Sequence, residues 1–388
     1  MSKNNLSIYI HYPFCVSKCP YCDFNSYKLY GVNQVDFLNA YLTELKSYYE
    51  LTKNRTIKTI FFGGGTPSIM SSNFLDKIMT QINSLWGIGD DVEVSMEANP
   101  TTAEISKFND FKQIGINRLS IGVQSLDDEW LRFFGRTHNE REAVRAIELA
   151  KNIFGDRYSI DLIYARPRQN IDEWLKELEK AVKLSPFHLS LYQLIVEEGT
   201  KFYEDKVKSL NDKDAAKMYK ITNDFLENHN MNMYEVSNYA QNGFECQHNL
   251  NYWKSGEWIG IGAGAHGRLC LYEKFVDGYR TRTSFENVKN PEFWIKNVMK
   301  RGFGYEIREN LTKQEFMEEV LLMGLRLKAG IHLYDIQNYL IIDDVRDLIN
   351  RNHQTLNNFV HVDETNIAAK PAGFIVLDSI IERLMIDD

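Results

Sequence analysis

Three cysteines near the start of the chain are the residues with the clearest chemistry. They lie in the segment His11-Tyr-Pro-Phe-Cys-Val-Ser-Lys-Cys-Pro-Tyr-Cys-Asp-Phe24, spaced as C-x3-C-x2-C, and no further cysteine follows closely. Cysteine thiolates ligate iron–sulfur clusters, so three of them can hold three irons of a [4Fe-4S] cube and leave the fourth iron without a protein ligand. The spacing of Cys15, Cys19 and Cys22 therefore predicts a cluster whose open iron binds another molecule.

The same thiols could instead form a structural zinc site. Structural zinc takes four protein ligands in a tetrahedral arrangement. His11 could supply the fourth, but it lies on a predicted strand, and no second C-x2-C pair appears later in the chain. Cys246 and Cys270 are isolated and are interpreted as plain buried or surface residues. Clustered thiols in a reducing compartment indicate metal binding and not disulfides, and the open cluster is the favoured interpretation.

A glycine run, Gly63-Gly-Gly-Thr-Pro-Ser68, follows the second predicted strand. Without Cβ atoms, backbone N–H groups in such a run can approach a ligand closely. The alternative is a tight turn between a strand and a helix. The run is not a P-loop, because no Gly-Lys-Ser/Thr follows it. Beside an open-iron cluster, it favours a site for an amino-acid-like group.

The elements that must position these residues alternate through the first 195 positions, short β-rich runs with longer helical patterns. The predicted strands are 7–12, 57–62, 92–97, 118–123, 159–164 and 188–195, with helices at 35–51, 73–85, 141–153 and 172–184 between them. Six βα repeats predict an α/β fold with a parallel sheet curled into an open barrel. Such a barrel has its active site at the C-terminal ends of its strands. Glu97, Gln124 and Asp161 lie in or just after later strands, where that rule expects a site.

The last part of the chain predicts a second, smaller unit. A helix at 212–228 is followed by a stretch rich in aromatic residues and glycine, up to about residue 310. Thr312-Lys-Gln-Glu315 resembles a capping box and opens an apolar helix. The helix–strand–helix pattern after it predicts a small C-terminal α+β domain that resembles a winged helix.

Composition and charge limit the class of protein. The 388 residues are 44% apolar and 13% aromatic, which predicts a filled core. The net charge of −8 supplies no basic face for a nucleic-acid partner. No segment reaches about 18 consecutive apolar residues, so no transmembrane segment is expected. The first residues lack the apolar stretch of a secretory signal, and a cytoplasmic location is expected.

The cysteine motif, with an aromatic residue inside it and Gly-Gly-Gly-Thr-Pro after it, resembles the radical S-adenosylmethionine (SAM) superfamily. The resemblance implies that SAM chelates the open iron through its amino and carboxylate groups. It further implies that reduction of the cluster cleaves SAM to a 5′-deoxyadenosyl radical, so an electron donor is an implied partner.

Further motifs resemble the oxygen-independent coproporphyrinogen III oxidase family within that superfamily. The motifs begin at Ser95-Met-Glu-Ala-Asn-Pro, Gly115-Ile-Asn-Arg-Leu-Ser, Gly135-Arg-Thr-His, Asp161-Leu-Ile-Tyr and His188-Leu-Ser-Leu-Tyr. The likeness runs through nearly the whole chain, including the small domain. It implies a radical SAM core at 1–235, a linker region at 236–310 and a small C-terminal domain at 311–388.

Two features place the chain with the HemW group of that family. The true oxidases, HemN, carry a fourth cysteine two positions after the third, where this chain has Phe24. The segment His248-Asn-Leu-Asn-Tyr-Trp253 is similar to the HNxxYW signature of HemW proteins. That resemblance implies a haem chaperone that binds haem and passes it to an acceptor protein, without coproporphyrinogen oxidase activity. The rival interpretation is an enzyme that decarboxylates coproporphyrinogen III oxidatively.

The resemblance assigns contacts position by position. The residues that match SAM-contacting positions of the family are Tyr9, Gly64, Gly65, Thr66, Glu97, Gln124, Arg136 and Asp161. Tyr21 matches the aromatic position beside the cluster. Glu97 would accept a bond from the SAM amino group, Arg136 would pair with its carboxylate, and Asp161 would bond the ribose hydroxyls. The alternative for the two acids is a strand-end carboxylate that caps the following loop.

His248 is the predicted haem ligand, because imidazole is a common axial ligand of haem iron. The alternative is a structural motif, with His248 bonded to the backbone and with Tyr252 and Trp253 in the domain interface. His266 is a competing candidate. A departure from the family stands at Arg166, where the relatives commonly have a leucine before Pro-Gly-Gln. Its guanidinium is interpreted either as a propionate ligand or as a solvent-facing group.

Overall fold

The computed structural model describes residues 4–29, 31, 33–185, 187–271, 275–276, 279–337, 339–351 and 356–385. Residues 1–3, which are part of the segment behind the cytoplasmic expectation, lie outside the described residues. Among the described residues, no helix combines the length and the apolar character needed to cross a membrane.

The strands follow the chain in this order: β1 (Asn5–Tyr12), β2 (Phe14–Cys15), β3 (Tyr27–Lys28), β4 (Thr56–Gly64), β5 (Glu93–Ala98), β6 (Arg118–Gln124), β7 (Tyr158–Tyr164), β8 (His188–Gln193), β9 (Asn232–Glu235), β10 (Asn238–Ala240), β11 (Trp258–Ile261), β12 (His266–Leu269), β13 (Phe275–Val276), β14 (Tyr279–Arg280), β15 (Thr283–Asn287), β16 (Tyr305–Asn310), β17 (Ile331–His332), β18 (Val360–Val362) and β19 (Asn366–Ala369).

The helices are α1 (Gln34–Thr52), α2 (Ser72–Trp86), α3 (Thr102–Ile105), α4 (Phe108–Ile114), α5 (Asp128–Phe133), α6 (Glu140–Phe154), α7 (Ile171–Leu184), α8 (Lys201–Glu204), α9 (Asp212–Glu227), α10 (Gln247–Trp253), α11 (Pro291–Arg301), α12 (Lys313–Gly324), α13 (Leu333–Ile336), α14 (Ile342–Arg351), α15 (Pro371–Ile375) and α16 (Leu377–Met385). A 3-10 turn covers Pro67–Ile69.

One large sheet organises the fold. Its strand order is β16-β15-β12-β11-β1-β4-β5-β6-β7-β8-β10-β9. The six predicted strands correspond to β1, β4, β5, β6, β7 and β8, which pair side by side and in parallel. The two edge strands, β16 and β9, do not pair with each other in the described structure, so the sheet does not close. It is an open partial barrel, as predicted. The carboxyl ends of the six strands meet at one edge, which is where the site forms.

Local sequence explains the helices that lie between these strands. The helices α6 and α7 both begin with a capping box, in which an asparagine and a glutamate three residues later satisfy each other's backbone N–H groups. The predicted capping box of Thr312 and Glu315 is confirmed at the start of α12. Buried apolar side chains recur along one face of each helix and join a continuous core with the sheet.

The segment 236–310, expected to be a linker region, supplies strands β10, β11, β12, β15 and β16 to the large sheet. The strand β11 lies parallel to β1 on the side away from β4. After it, residues beyond 312 form helices around a three-stranded sheet with the order β17-β19-β18. The domain boundaries at residues 235 and 310 stay a prediction.

The buried carboxylate of Glu44 on α1 attaches this added segment to the barrel. It accepts hydrogen bonds from the backbone N–H groups of Gly262 and Gly304, at 3.0 and 2.7 Å. It also accepts from the Trp294 indole at 3.0 Å and from the Asn287 amide at 3.1 Å. Four donors satisfy an otherwise costly buried acid, so the added strands are fixed to the outer helix as well as to β1.

Candidate functional site

Most of the predicted site residues line one cavity at the carboxyl ends of the parallel strands. We call it the cluster cavity; its volume is about 390 Å³. The predicted residues in its wall are Cys15, Cys19, Tyr21, Cys22, Gly64, Gly65, Thr66, Glu97, Gln124, Arg136 and Asp161. They come from the segment after β1, from β7, from the ends of β4, β5 and β6 and, for Arg136, from the loop after α5, so elements far apart in sequence converge as the barrel rule predicts.

Tyr9 and His248 lie instead in the wall of a second space, which we call the barrel cavity, of about 510 Å³. The barrel cavity shares Gly64, Glu97 and Asp161 with the cluster cavity, so the two spaces adjoin. The strand positions explain the division, because Tyr9 points into the barrel from the middle of β1.

The three thiols of the cysteine loop are free and face the cluster cavity. A turn in which the Cys22 N–H donates to the Cys19 carbonyl at 3.2 Å folds the loop. Burial raises the pKa of the Cys15 and Cys22 thiols. Nowhere in the described ranges do three His, Cys, Asp or Glu side chains surround a single point that could hold one metal ion. A cube does not need such a group, because each cysteine binds its own iron.

The glycine run lies under the cysteine loop at very close range. A Cβ on Gly64, whose φ is +112°, would lie 2.5 Å from the His11 ring, and one on Gly65 would lie 2.7 Å from the Phe14 carbonyl oxygen. The backbone N–H of Gly64 donates to Glu97, and those of Gly65 and Thr66 donate to carbonyls of the loop. These N–H groups therefore hold the cysteine loop and Glu97 in place. The sequence predicted instead that they would point at a ligand.

Two half-buried carboxylates, those of Glu97 and Asp161, lie close to each other in the cavity wall. Glu97 ends β5, where its Oε2 accepts the Gly64 N–H at 3.0 Å. Asp161 on β7 accepts from the Ser120 hydroxyl at 2.9 Å. Burial, and secondarily the Asp161 charge, raises the pKa of Glu97 to about 8, and burial raises the pKa of Asp161 to about 6. Carboxyls with pKa values raised by burial are typical of functional sites, and their ionised forms would gain from a cationic group of a ligand.

Arg136 supplies the positive charge of the cavity. Its guanidinium donates to the Cys19 sulfur at 3.3 Å and to the Gly122 carbonyl at 2.9 Å, and it bonds the Asn99 amide oxygen. Its Nε is buried and has no partner among the described residues. A buried cation with an unused donor beside open carboxylates fits a zwitterionic ligand, so the residues present fit an amino-acid-like group.

Sequence reasoning missed several residues that complete this wall. Asn99 accepts from Arg136 and donates to the Thr66 hydroxyl at 3.4 Å. Ser120 holds the Asp161 carboxylate. Both lie within the sequence motifs that begin at Ser95 and Gly115. For Asn99, the position directly after β5 was a signal that could have identified it.

His248 is 1% exposed and uses both ring nitrogens inside the protein. Its Nδ1 lies 2.7 Å from the Thr59 hydroxyl, and its Nε2 lies 2.7 Å from the Tyr252 hydroxyl. The Thr59 hydroxyl donates to Ser7, so it accepts from Nδ1, and Nε2 carries the lone pair that Tyr252 occupies. Burial lowers the pKa of His248 to about 3. The ring is neutral, and iron can bind it only after Tyr252 leaves.

The competing candidate, His266, has a different environment. Its side chain is half exposed, lies in the wall of the barrel cavity, and stands 3.9 Å from the Glu286 carboxylate. Phe24, at the position of the fourth cysteine in the HemN oxidases, lines both cavities and is 58% exposed.

Both interpretations of Arg166 are wrong. Its guanidinium is 2% exposed, so it neither faces solvent nor reaches a cavity as a propionate ligand. It pairs with Glu177, donates to the Ser125 hydroxyl at 2.8 Å and lies over the Trp130 ring at 4.8 Å. The sequence could not show this, because Glu177 reaches the pair from α7.

Comparison with known proteins gives consistent results. The family model of the radical SAM superfamily matches residues 9–181. A protein named Heme chaperone HemW from Buchnera aphidicola subsp. Schizaphis graminum is 42% identical to this chain, over 81% of this chain and 89% of its own length. A protein of the same name from Escherichia coli K12 is also 42% identical, over 72% of this chain and 73% of its own length. A mouse protein named Radical S-adenosyl methionine domain-containing protein 1, mitochondrial, is 35% identical over 98% of this chain and 87% of its own length.

The solved structure of coproporphyrinogen III oxidase (HemN) from Escherichia coli, a radical SAM enzyme, has the same fold. The TM-score is 0.81 at 20% sequence identity, and the match covers 98% of this chain and 90% of that one. The predicted fold class is confirmed.

Proposed function

This chain belongs to the HemW family of the radical SAM superfamily, and we propose on that premise that it binds haem and transfers it to an acceptor protein. The single observation that carries the proposal is its 42% identity to two proteins named Heme chaperone HemW over most of their lengths. A supporting observation is that Phe24 stands where a HemN oxidase has a fourth cysteine. A cytoplasmic location stays a prediction.

Membership in the superfamily implies a [4Fe-4S] cluster and SAM, and we assign their ligands here. Cys15, Cys19 and Cys22 would hold three irons of the cluster. When bound, the cluster supplies an electron for reductive chemistry on SAM, and an electron-donor protein is therefore a proposed partner. The loop that carries the cysteines is fixed by the glycine run below it, as the Gly65 and Thr66 hydrogen bonds show.

The residues around the cysteines divide the task of holding SAM. Glu97 would take the amino group, Arg136 the carboxylate and Asp161 the ribose hydroxyls, as charge and hydrogen-bonding capacity allow. Tyr21 packs edge-on against Phe134 at 5.3 Å, which keeps the ring beside the cysteine loop. Gln124 has a left-handed φ of 68°, which turns the chain at the end of β6 into the cavity wall.

The raised pKa of Glu97 predicts how SAM affinity depends on pH. The carboxyl with a pKa of about 8 is mainly protonated below that pH, and only its ionised form accepts strongly from an amine. SAM binding should therefore tighten as the pH rises from below to above 8. In Glu97→Gln this tightening should be smaller and affinity above pH 8 should fall about ten-fold or more, since a charged hydrogen bond is lost.

Anaerobic equilibrium dialysis with labelled SAM measures this effect. The amino group of SAM titrates in the same range with both proteins, so the difference between their slopes isolates Glu97. Glu198→Gln, a change at an exposed acid, is the matched control and should follow the wild-type curve. Equal slopes for wild type and Glu97→Gln would remove Glu97 from the proposed contact.

The bond between Tyr252 and His248 makes a second prediction, on haem. If His248 is the iron ligand, its Nε2 must be released from the Tyr252 hydroxyl. Tyr252→Phe removes that competitor and should tighten haem binding about three- to ten-fold, the worth of one ordinary hydrogen bond. With His248 as the ligand, His248→Ala should weaken binding and shift the Soret band. A titration in which Tyr252→Phe binds haem like the wild type, or more weakly, would count against ligation through Nε2.

The proposed function is tested by haem transfer under anaerobic conditions. Protein loaded with haem should deliver it to an apo-acceptor faster than free haem alone reaches that acceptor. Incubation with SAM, reductant and coproporphyrinogen III should give no protoporphyrinogen. Substantial protoporphyrinogen together with no haem transfer would replace the chaperone with an oxidase.

A further inference from the structure

A third cavity lies outside the barrel, on the far side of the helix that carries His248. It separates α10 and β9 from α12, β17 and α13, and its volume is about 390 Å³. We call it the interdomain cleft. Its apolar wall includes Met233, Leu250, Val320, Ile331 and Ile336.

We infer that haem binds in the interdomain cleft when the protein has the conformation described above. The inference rests on the proposed function, which makes haem the cargo, and adds where the cargo is held. A haem is a flat apolar ring with two carboxylates at one edge and an iron that takes an imidazole. The cleft offers a matching group for each of these parts.

The first matching feature is the apolar wall and the tryptophan within it. Trp253 lies in the walls of both the interdomain cleft and the barrel cavity. Its indole N–H is buried and has no partner among the described residues. An unused buried donor on an apolar wall calls for an acceptor from a ligand, since leaving it unpaired is costly. The cavity volume also falls within the range of small-molecule sites.

The second matching feature is charge. Lys254 and Lys328 lie in the wall of the cleft and are exposed, so both ammonium groups can reach its mouth. In the part of the chain that the structure describes, no carboxylate pairs with either one. The cleft also contains Glu245 and Asp335, but Glu245 accepts the Gly243 N–H at 2.9 Å and Asp335 has a partner of its own. Two free ammonium groups suit the two propionates of haem.

The third matching feature is an imidazole without a competitor. His332 lies in the wall of the cleft, at the end of β17, and its side chain is exposed. It caps no helix N–H, and no described residue bonds its ring. Its lone pair is therefore available to iron without rearrangement, unlike the Nε2 of His248.

The barrel cavity suits haem less well. Ser95, Ser120, Ser159 and Ser190 line it, together with the two acids Glu97 and Asp161 that also face the cluster cavity. Its wall also contains aromatic side chains such as Tyr9, Phe61 and Trp258, so it is not polar throughout. Haem ligation by His248 there would need a rearrangement, because both ring nitrogens of that residue are already bonded.

Haemin titration of the cluster-loaded protein, followed by the Soret band, tests the inference. His332→Ala should shift the Soret maximum and raise the Kd, and the double variant Lys254→Glu/Lys328→Glu should raise the Kd about ten-fold or more. The control for the histidine is His229→Ala, at an exposed ring bonded to the Phe225 carbonyl. The control for charge is Lys217→Glu/Lys220→Glu on α9. Both controls should bind haemin like the wild type.

The outcomes separate this inference from the proposed function. Normal binding by His332→Ala and by the lysine variant, with loss only in His248→Ala, would overturn the cleft and keep the chaperone. A wild type that binds no haemin would overturn the proposed function itself. Circular dichroism of each variant checks that it folds. Arg268→Ala removes the ion pair with Glu319 on α12 but lies outside the cleft. It therefore shows how a loss of stability in the small domain alone affects the haemin titration.

Discussion

Cys19→Ser should remove the iron–sulfur cluster from this protein. A serine oxygen is a poor replacement for a thiolate, and a cube held by only two cysteines has lost a third of its protein ligands. Anaerobically purified wild type should carry about four irons per chain, and the variant close to none. The fold should persist, because the hydrogen bonds from Gly65 and Thr66 to Tyr12 and Phe14, which hold the start of the cysteine loop, do not involve the Cys19 sulfur.

Iron and sulfide analysis, with the visible absorption of the cluster, measures this result. Cys270→Ser is the matched control, because Cys270 is buried directly after β12, two strands away from β1, and does not line the cluster cavity. It should keep its full iron content. Unchanged iron in Cys19→Ser would remove that residue from the ligand set, and one zinc with no iron in the wild type would favour the zinc-stabilised scaffold.

Arg166→Ala should strongly destabilise the protein, although Arg166 lies outside the site. The substitution leaves the buried Glu177 carboxylate without its cation, and breaking a buried ion pair in this way costs about 3–5 kcal/mol. Glu177 would keep bonds from the Ser125 hydroxyl at 2.6 Å and the Leu126 N–H at 2.7 Å, which do not neutralise it. Urea unfolding of the apo-protein should show the fall in the free energy of unfolding as a lower midpoint.

A double variant separates the charge from the packing. Arg166→Met with Glu177→Leu replaces both charges by apolar side chains of similar length, and such replacements are often neutral or stabilising. It should therefore be clearly more stable than Arg166→Ala. If Arg166→Ala unfolds at the wild-type urea concentration, the pair contributes nothing, and the guanidinium must have another role.

The sequence predicted the barrel well because its signals are local. Each strand from β4 to β7 is a short apolar run, and a capping asparagine opens α6 and α7. The C-terminal end of a parallel strand is a defined place in the fold, so Glu97 and Asp161 could be assigned to one site before any contact was known. Most of the predicted site residues do line one cavity.

The contacts that the sequence did not predict join residues that are far apart in the chain. Glu44 bonds the N–H groups of Gly262 and Gly304, more than 200 positions away, and no local pattern marks it. The same holds for the Thr59 hydroxyl that fixes the His248 ring. The interdomain cleft could not be predicted either, since its wall combines residues near 233, 253 and 332. Such sites depend on tertiary packing, which overrides local preference.

Mössbauer spectroscopy of ⁵⁷Fe-labelled protein, prepared without oxygen and measured with and without SAM, tests the central claim most directly. A [4Fe-4S] cube held by Cys15, Cys19 and Cys22 should show one iron site that changes when SAM is added and three that do not. A cube whose four irons are unaffected by SAM, or the absence of any cube from the oxygen-free protein, would contradict the account.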